Sequence, residues 1–193
     1  LEGAGEGGVK RVVFASSGGT VYGDPEVVPT PETAPNCPIS PYGASKLAGE
    51  HYIRMLGALR GFDAVAMRYA NVFGPRQDPG SPYSGVISLF ATALLDGRQP
   101  VIYGDGEQTR DFTYVANVVD GVLRAVAAPG AVGRVINVAT GGRISLNDLC
   151  LTLATTIGTP MRPSHGPDRA GDVKDSQADI GLASSLLGYA PVI

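Results

Sequence analysis

Two short apolar runs stand out from the polar background: VVF within RVVFAS (residues 11 to 16) and AVAM within DAVAMRY (residues 63 to 69). Runs this short and continuous predict strands buried on both faces, as in a parallel sheet. Between them the period changes. Ala44, Leu47, Ala48, Tyr52, Met55, Leu56 and Leu59 recur at helical spacing, with Ser40 and Pro41 in starting positions and Gly61 as the stop, which predicts a helix from Tyr42 onward. Residues 24 to 41 carry six prolines and can be neither helix nor central strand, so an ordered loop is expected there. Further on, VISLFATALLDG (86 to 97) reads as a helix ended by glycine. PVIYGDGEQTRDFTYV reads as two strand-like runs around a GDGE turn, followed by a helix over 115 to 128 and a strand over 134 to 139. Ser145 is a suitable N-cap, with Asp148 three residues on, for a helix running to Gly158. Alternating strands and helices predict the α/β class. LEGAGEGG looks like only the last turn of a helix and LLGYAPVI lacks an obvious finishing element, so the sequence is expected to be cut from a longer one.

Composition narrows the function. With 15 basic and 18 acidic residues the net charge is −3, and without a basic cluster nucleic acid is not expected as a partner. No membrane span or signal peptide is visible, which makes a cytoplasmic location the default expectation. Cys37 and Cys150 form neither a metal-ligand spacing nor a disulfide framework, and Cys150 reads as core. The chemistry suggested is that of Tyr42 and Lys46, four residues apart at a helix start and therefore on one face. A cation beside a phenol favours the phenolate and makes it a usable general base. Taken alone, Tyr-x-x-x-Lys is a weak motif.

It does not stand alone. SSGGTVYGD lies upstream at the end of a predicted strand, and SPYGASKLAGEHY, RYANVFGPRQDP, GDGEQTRDFTYV, INVATG and RAGDV follow in order. This series resembles the extended short-chain dehydrogenase/reductase family, NAD-dependent epimerases and dehydratases, and within it the UDP-glucose 4-epimerase type. The resemblance implies a partial Rossmann-like, doubly wound parallel sheet with a smaller α/β substrate-binding region. Residues 1 to 80 would be the C-terminal half of the NAD-binding domain. Residues 81 to 193 would mainly bind the nucleotide sugar, with a return strand and helix to the sheet near 101 to 128. No GxxGxxG or GxGxxG loop lies between a strand and a helix, so the half that seats the cofactor pyrophosphate is expected to be absent.

The resemblance also implies roles. Tyr42 is the base and Lys46 tunes it, both beside NAD with Ala15, Ser16 and Tyr69. The Ser or Thr of the family falls at Gly18, leaving Ser17 or Thr20 to supply the hydroxyl. Asn71, Arg110 and Arg169 match contacts to the nucleotide diphosphate, Asp172 a ribose contact, and Tyr103 and Ser176 further substrate positions. The small Ser176 suggests tolerance of N-acetylated sugars. For each of these a bland reading stands beside the functional one: Arg110 with Asp111 as a surface ion pair, Asn71 as a cap, Arg169 and Asp172 as turn residues. The implied reaction is epimerisation at C4 of a UDP-hexose through a 4-keto intermediate. The alternatives are a 4,6-dehydratase or reductase of the same family, or a non-catalytic nucleotide-sugar-binding remnant. A homodimer through the 42 to 60 helix is the implied assembly.

Overall fold

The computed structural model describes residues 1–81, 84–169 and 171–193. In chain order the elements are α1 (Glu2–Glu6), β1 (Arg11–Ser17), α2 (Gly18–Val21), α3 (Pro41–Arg60), β2 (Asp63–Tyr69), β3 (Asn71–Phe73), α4 (Val86–Leu95), β4 (Val101–Tyr103) and β5 (Thr109–Arg110). They continue with β6 (Phe112–Tyr114), α5 (Val115–Ala127), β7 (Val135–Val138), β8 (Ile144–Ser145), α6 (Leu146–Ile157), β9 (Ser164–Gly166), β10 (Asp175–Ser176) and α7 (Gly181–Leu187). Strands β1, β2 and β7 form a parallel sheet in that order, with Arg11 opposite Asp63 and Ala66 opposite Val135. The architecture is α/β.

Alternation along the strands decides which helix covers which face. Val12, Phe14 and Ala64 meet α3 through Ile53 and Leu56. Val65, Met67, Ile136 and Val138 face the other way, onto Ala125 of α5 and Ala183 and Leu187 of α7. Helix α3 lies close to β1 because it presents glycine there: a Cβ on Gly49 would sit 2.3 Å from the Phe14 ring. A second core joins α4 to α6 through Phe90, Ile102, Leu149 and Cys150.

Buried charge completes the α3 contact. Arg68, inside the otherwise apolar β2, donates to Glu50 of α3 through Nε (2.8 Å) and Nη2 (2.7 Å). Ser16 Oγ of β1 donates to the same carboxylate. Both charges are almost sealed, at 3% exposure for Glu50 and 2% for Arg68. The Arg68 guanidinium also stacks on Tyr22, 4.7 Å from the ring centroid, and the Tyr22 hydroxyl donates to Asn137 of β7.

The strand-like runs around GDGE are present, but they do not pair with each other: β4 pairs with β9, β5 with β10 and β8, and β6 with β3. Asn147, at the start of α6, bonds Asp105 O and Glu107 Oε1 and fills the turn beside Gly106 between the two runs. One expectation needs correction. The strand that returns to the parallel sheet is β7, not the run at 101; α5, within the expected range, packs on the sheet together with α7. Among the described residues no helix is long and apolar enough to cross a membrane.

Removing one member of a buried ion pair strands the other, so Glu50→Leu should lower the unfolding free energy by about 3–5 kcal/mol. The double variant Glu50→Leu/Arg68→Met should recover most of that loss in urea titrations. A double variant no more stable than the single one would show that the pair is not the unit of stability.

Candidate functional site

A cavity of about 350 Å³ opens beyond the carboxyl ends of β1 and β2, the place where open parallel sheets bind ligands. Tyr42 and Lys46 reach it from the first turns of α3. That start is well defined: Ser40 Oγ accepts from the Gly43 N–H at 3.1 Å, Pro41 occupies the first helical position, and Gly61 closes the helix in the left-handed conformation. At Gly43 the helix passes so close to the α2 turn that a Cβ would lie 2.6 Å from Thr20 O. The Lys46 ammonium lies 5.5 Å from the Tyr42 ring centroid and 5.6 Å from that of Phe14, and donates to Ala15 O at 3.0 Å. Tyr42 is 43% exposed.

The other residues expected near a cofactor divide by what their polar atoms do. Ala15, Ser16 and Tyr69 all line the cavity. The Ser16 hydroxyl, however, is committed to Glu50. Burial pushes the Tyr69 phenol up to about 12, so it stays protonated near neutrality and is unsuited to act as base. Ser17 and Thr20 also line the cavity, but they are not equivalent. Both residues are half-buried, but Thr20 Oγ1 is enclosed with no hydrogen-bond partner, and the Ser17 side chain makes no cap bond to α2.

Asn71 and Val86 line both this cavity and a second one of about 420 Å³, so the two adjoin. Arg110, Tyr103, Arg169 and Asp172 lie on the second cavity, and the last three also line a third of about 390 Å³. Arg110 is held by its Nη1 donating to Thr109 O (2.8 Å) and Lys174 O (3.2 Å). Burial pulls its guanidinium below the usual value, against the attraction of Asp172 and Asp175. The reading of Arg110 and Asp111 as a surface ion pair fails, because Asp111 is fully buried and its carboxylate bonds Thr140, Gly141 and Ala178. Ser176 is buried beside the Gly18–Gly19 turn and lines none of these three cavities.

Glu50, Arg68 and Asp111 were missed by sequence reasoning, although signals existed. Glu50 continues the four-residue stripe of Tyr42 and Lys46, and Arg68 is a charge inside an apolar run. A nicotinamide-type cofactor fits the first cavity at its reactive end, where a phenol and an ammonium meet. No cradle for a pyrophosphate accompanies them among the described residues. Gly3, Gly5 and Gly8 have the GxGxxG spacing, but they belong to α1 and the turn before β1, the reverse of the strand-to-helix order such a cradle needs.

Comparison with known proteins places this geometry among relatives. Residues 1–139 match the family model described as the NAD dependent epimerase/dehydratase family. Over 186 residues the chain is 44% identical to a UDP-glucose 4-epimerase of Mycolicibacterium smegmatis, covering 96% of this chain and 59% of that protein. The structure superposes with a TM-score of 0.94 on a Thermotoga maritima UDP-glucose 4-epimerase with UDP-glucose, at 39% identity, covering 100% of this chain and 62% of that one. It superposes with a TM-score of 0.89 on a Thermus thermophilus UDP-glucose 4-epimerase complexed with NAD, at 34% identity, covering 100% and 62%. The chain therefore spans about 59% of the length of the curated relative it matches.

Loss of the cap that sets the Tyr42–Lys46 helix should be measurable by itself. Ser40→Ala is expected to lower stability by about 1 kcal/mol in urea unfolding, and Ser40→Asp to restore it. Equal stability of all three forms would remove the cap from this account.

Proposed function

The chain belongs to the NAD dependent epimerase/dehydratase family, and from that premise we propose that the protein inverts C4 of a UDP-hexose with NAD as cofactor. The observation that carries the reading is the junction at Asn71. There a cavity bearing Tyr42 and Lys46 adjoins one bearing Arg110, Arg169 and Asp172, so a phenol for proton transfer and a cationic grip for a diphosphate serve one elongated ligand.

Bound NAD supplies the hydride acceptor and donor; the chain supplies the rest. Tyr42 takes the proton of the sugar hydroxyl, with the Lys46 ammonium beside its ring favouring the phenolate. Ser17, rather than the enclosed Thr20, hydrogen-bonds the reacting hydroxyl in place of the family residue that Gly18 replaces. Arg110 and Arg169 hold phosphate oxygens, a task that suits a permanently charged guanidinium fork. Asp172 accepts from ribose hydroxyls, Asn71 contacts the diphosphate at the junction of the cavities, and Tyr103 lines the cavity that holds Arg110. Tyr52, Met55 and Leu59 form an exposed apolar stripe on the outer side of α3, which supports pairing with a second copy.

One observation favours a second reading, nucleotide-sugar binding without turnover: the described residues include no pyrophosphate cradle for the cofactor. The two readings separate in a single set of measurements. Tyr42→Phe should abolish interconversion of UDP-galactose and UDP-glucose in the presence of NAD while leaving UDP affinity unchanged by calorimetry. Arg110→Ala should weaken UDP binding about tenfold. Wild-type binding without turnover selects the second reading, and unchanged affinity in Arg110→Ala refutes both.

The choice of hydroxyl is tested by the same assay. Ser17→Ala should reduce turnover by 10²-fold or more, on the order expected for loss of a positioned proton-transfer partner. Thr20→Val should cost much less, and the reverse ranking would reassign the role to Thr20.

A further inference from the structure

We infer that Asp111 is a positioning residue that aims Arg110 and Asn71 at the ligand's diphosphate; the inference rests on the nucleotide-sugar reading above. Asp111 lies between β5 and β6 and is fully buried. Its Oδ1 accepts from the Thr140 N–H (3.1 Å) and the Thr140 hydroxyl (2.7 Å), and its Oδ2 from the N–H groups of Gly141 (3.1 Å) and Ala178 (3.3 Å). A carboxylate has about four acceptor sites, and here all four are used. The backbone carbonyl of the same residue accepts both the N–H and the Nδ2 of Asn71, each at 3.0 Å. One residue thus gathers the segments that follow β7 and β10 and the start of β3.

The consequence for Arg110 follows from alternation. In extended backbone, successive side chains point to opposite sides. With Asp111 locked inward by four donors, Arg110 is turned toward the cavity, where only Nη1 is tied, to Thr109 O and Lys174 O. The other guanidinium N–H groups have no bond among the described residues and are available to phosphate oxygens. Asn71, held through its N–H and its amide, lines both cavities at their junction. Asp111 itself lines none of the three, so it acts through these neighbours and not on the ligand.

An asparagine at 111 has the right shape and the wrong donors. Whichever way it is turned, its NH₂ faces either the Thr140 pair or the Gly141 and Ala178 N–H groups. The test is Asp111→Asn, with Thr140→Val as a milder variant that removes one donor, each titrated with UDP by calorimetry and with uridine by NMR. Loss of aim should raise the UDP Kd about tenfold in Asp111→Asn, and by less in Thr140→Val, with the uridine Kd within about twofold of wild type. Partial unfolding would weaken both ligands by the same factor, because apparent affinity scales with the competent fraction. Equal weakening of UDP and uridine, or unchanged UDP affinity, overturns the inference. If Asp111→Asn does not fold, the UDP-to-uridine ratio in Thr140→Val decides. Wild-type protein that binds neither ligand overturns the nucleotide-sugar reading itself.

Discussion

Glu50 and Arg68 are two opposite charges held almost entirely out of water, and the position of the Tyr42–Lys46 helix depends on them. Desolvating such a pair is costly, and the attraction between its members offsets the cost only where geometry and further hydrogen bonds are good. Both conditions are met here. Two parallel N–H···O contacts join the groups, Ser16 adds a third donor to the carboxylate, and the face of Tyr22 covers the guanidinium. Tyr42, Lys46 and Glu50 follow one another at four-residue spacing on α3. Locking Glu50 to β1 and β2 therefore sets the rotation of the helix, and with it the places of the phenol and the ammonium. Arg68 Nη1, buried without a partner, is the unsatisfied point of the arrangement.

A second polar knot performs the corresponding task between the two parts of the chain. The parallel sheet ends at β7, and the rest of the chain is built on strands of only two or three residues, too short to hold a geometry by ladder bonds alone. Asp111 ties these ends together through six accepted hydrogen bonds, four to its carboxylate and two to its carbonyl. Burial raises the Asp111 carboxyl, while those donors favour the charged form. The adjoining cavities are lined in part by the apolar core itself, through Phe90, Ile102 and Leu146, while Glu50, Arg68 and Asp111 line neither of them.

Much of this was legible in the amino-acid order. Helix α3 was readable from its apolar period, its serine cap and its terminal glycine, and β1 and β2 from short unbroken apolar runs, because caps and periodicity are local properties. Residues placed on the site by family resemblance, Tyr42, Lys46, Asn71, Arg110, Arg169 and Asp172, all line the adjoining cavities. The two strand-like runs around GDGE were also legible, but not their partners, and Asn147, 41 positions beyond Gly106, sits in the turn between them. Ser176, singled out by its small side chain, is buried beside the Gly18–Gly19 turn.

By itself, then, the sequence determined the α/β class, the main helices and strands, and the spacing that puts a phenol and an ammonium on one helix face, since each depends on residues a few positions apart. The tertiary structure alone decided that Thr20 Oγ1 is enclosed, that Asp111 faces inward while Arg110 lines a cavity, and that Glu50 and Arg68 tie α3 to the sheet. These outcomes depend on donors and acceptors between 18 and about 70 positions apart, such as Arg68 with Glu50 and Ala178 with Asp111. Such partners meet only when the chain closes, and burial then favours the arrangement in which most polar groups find one.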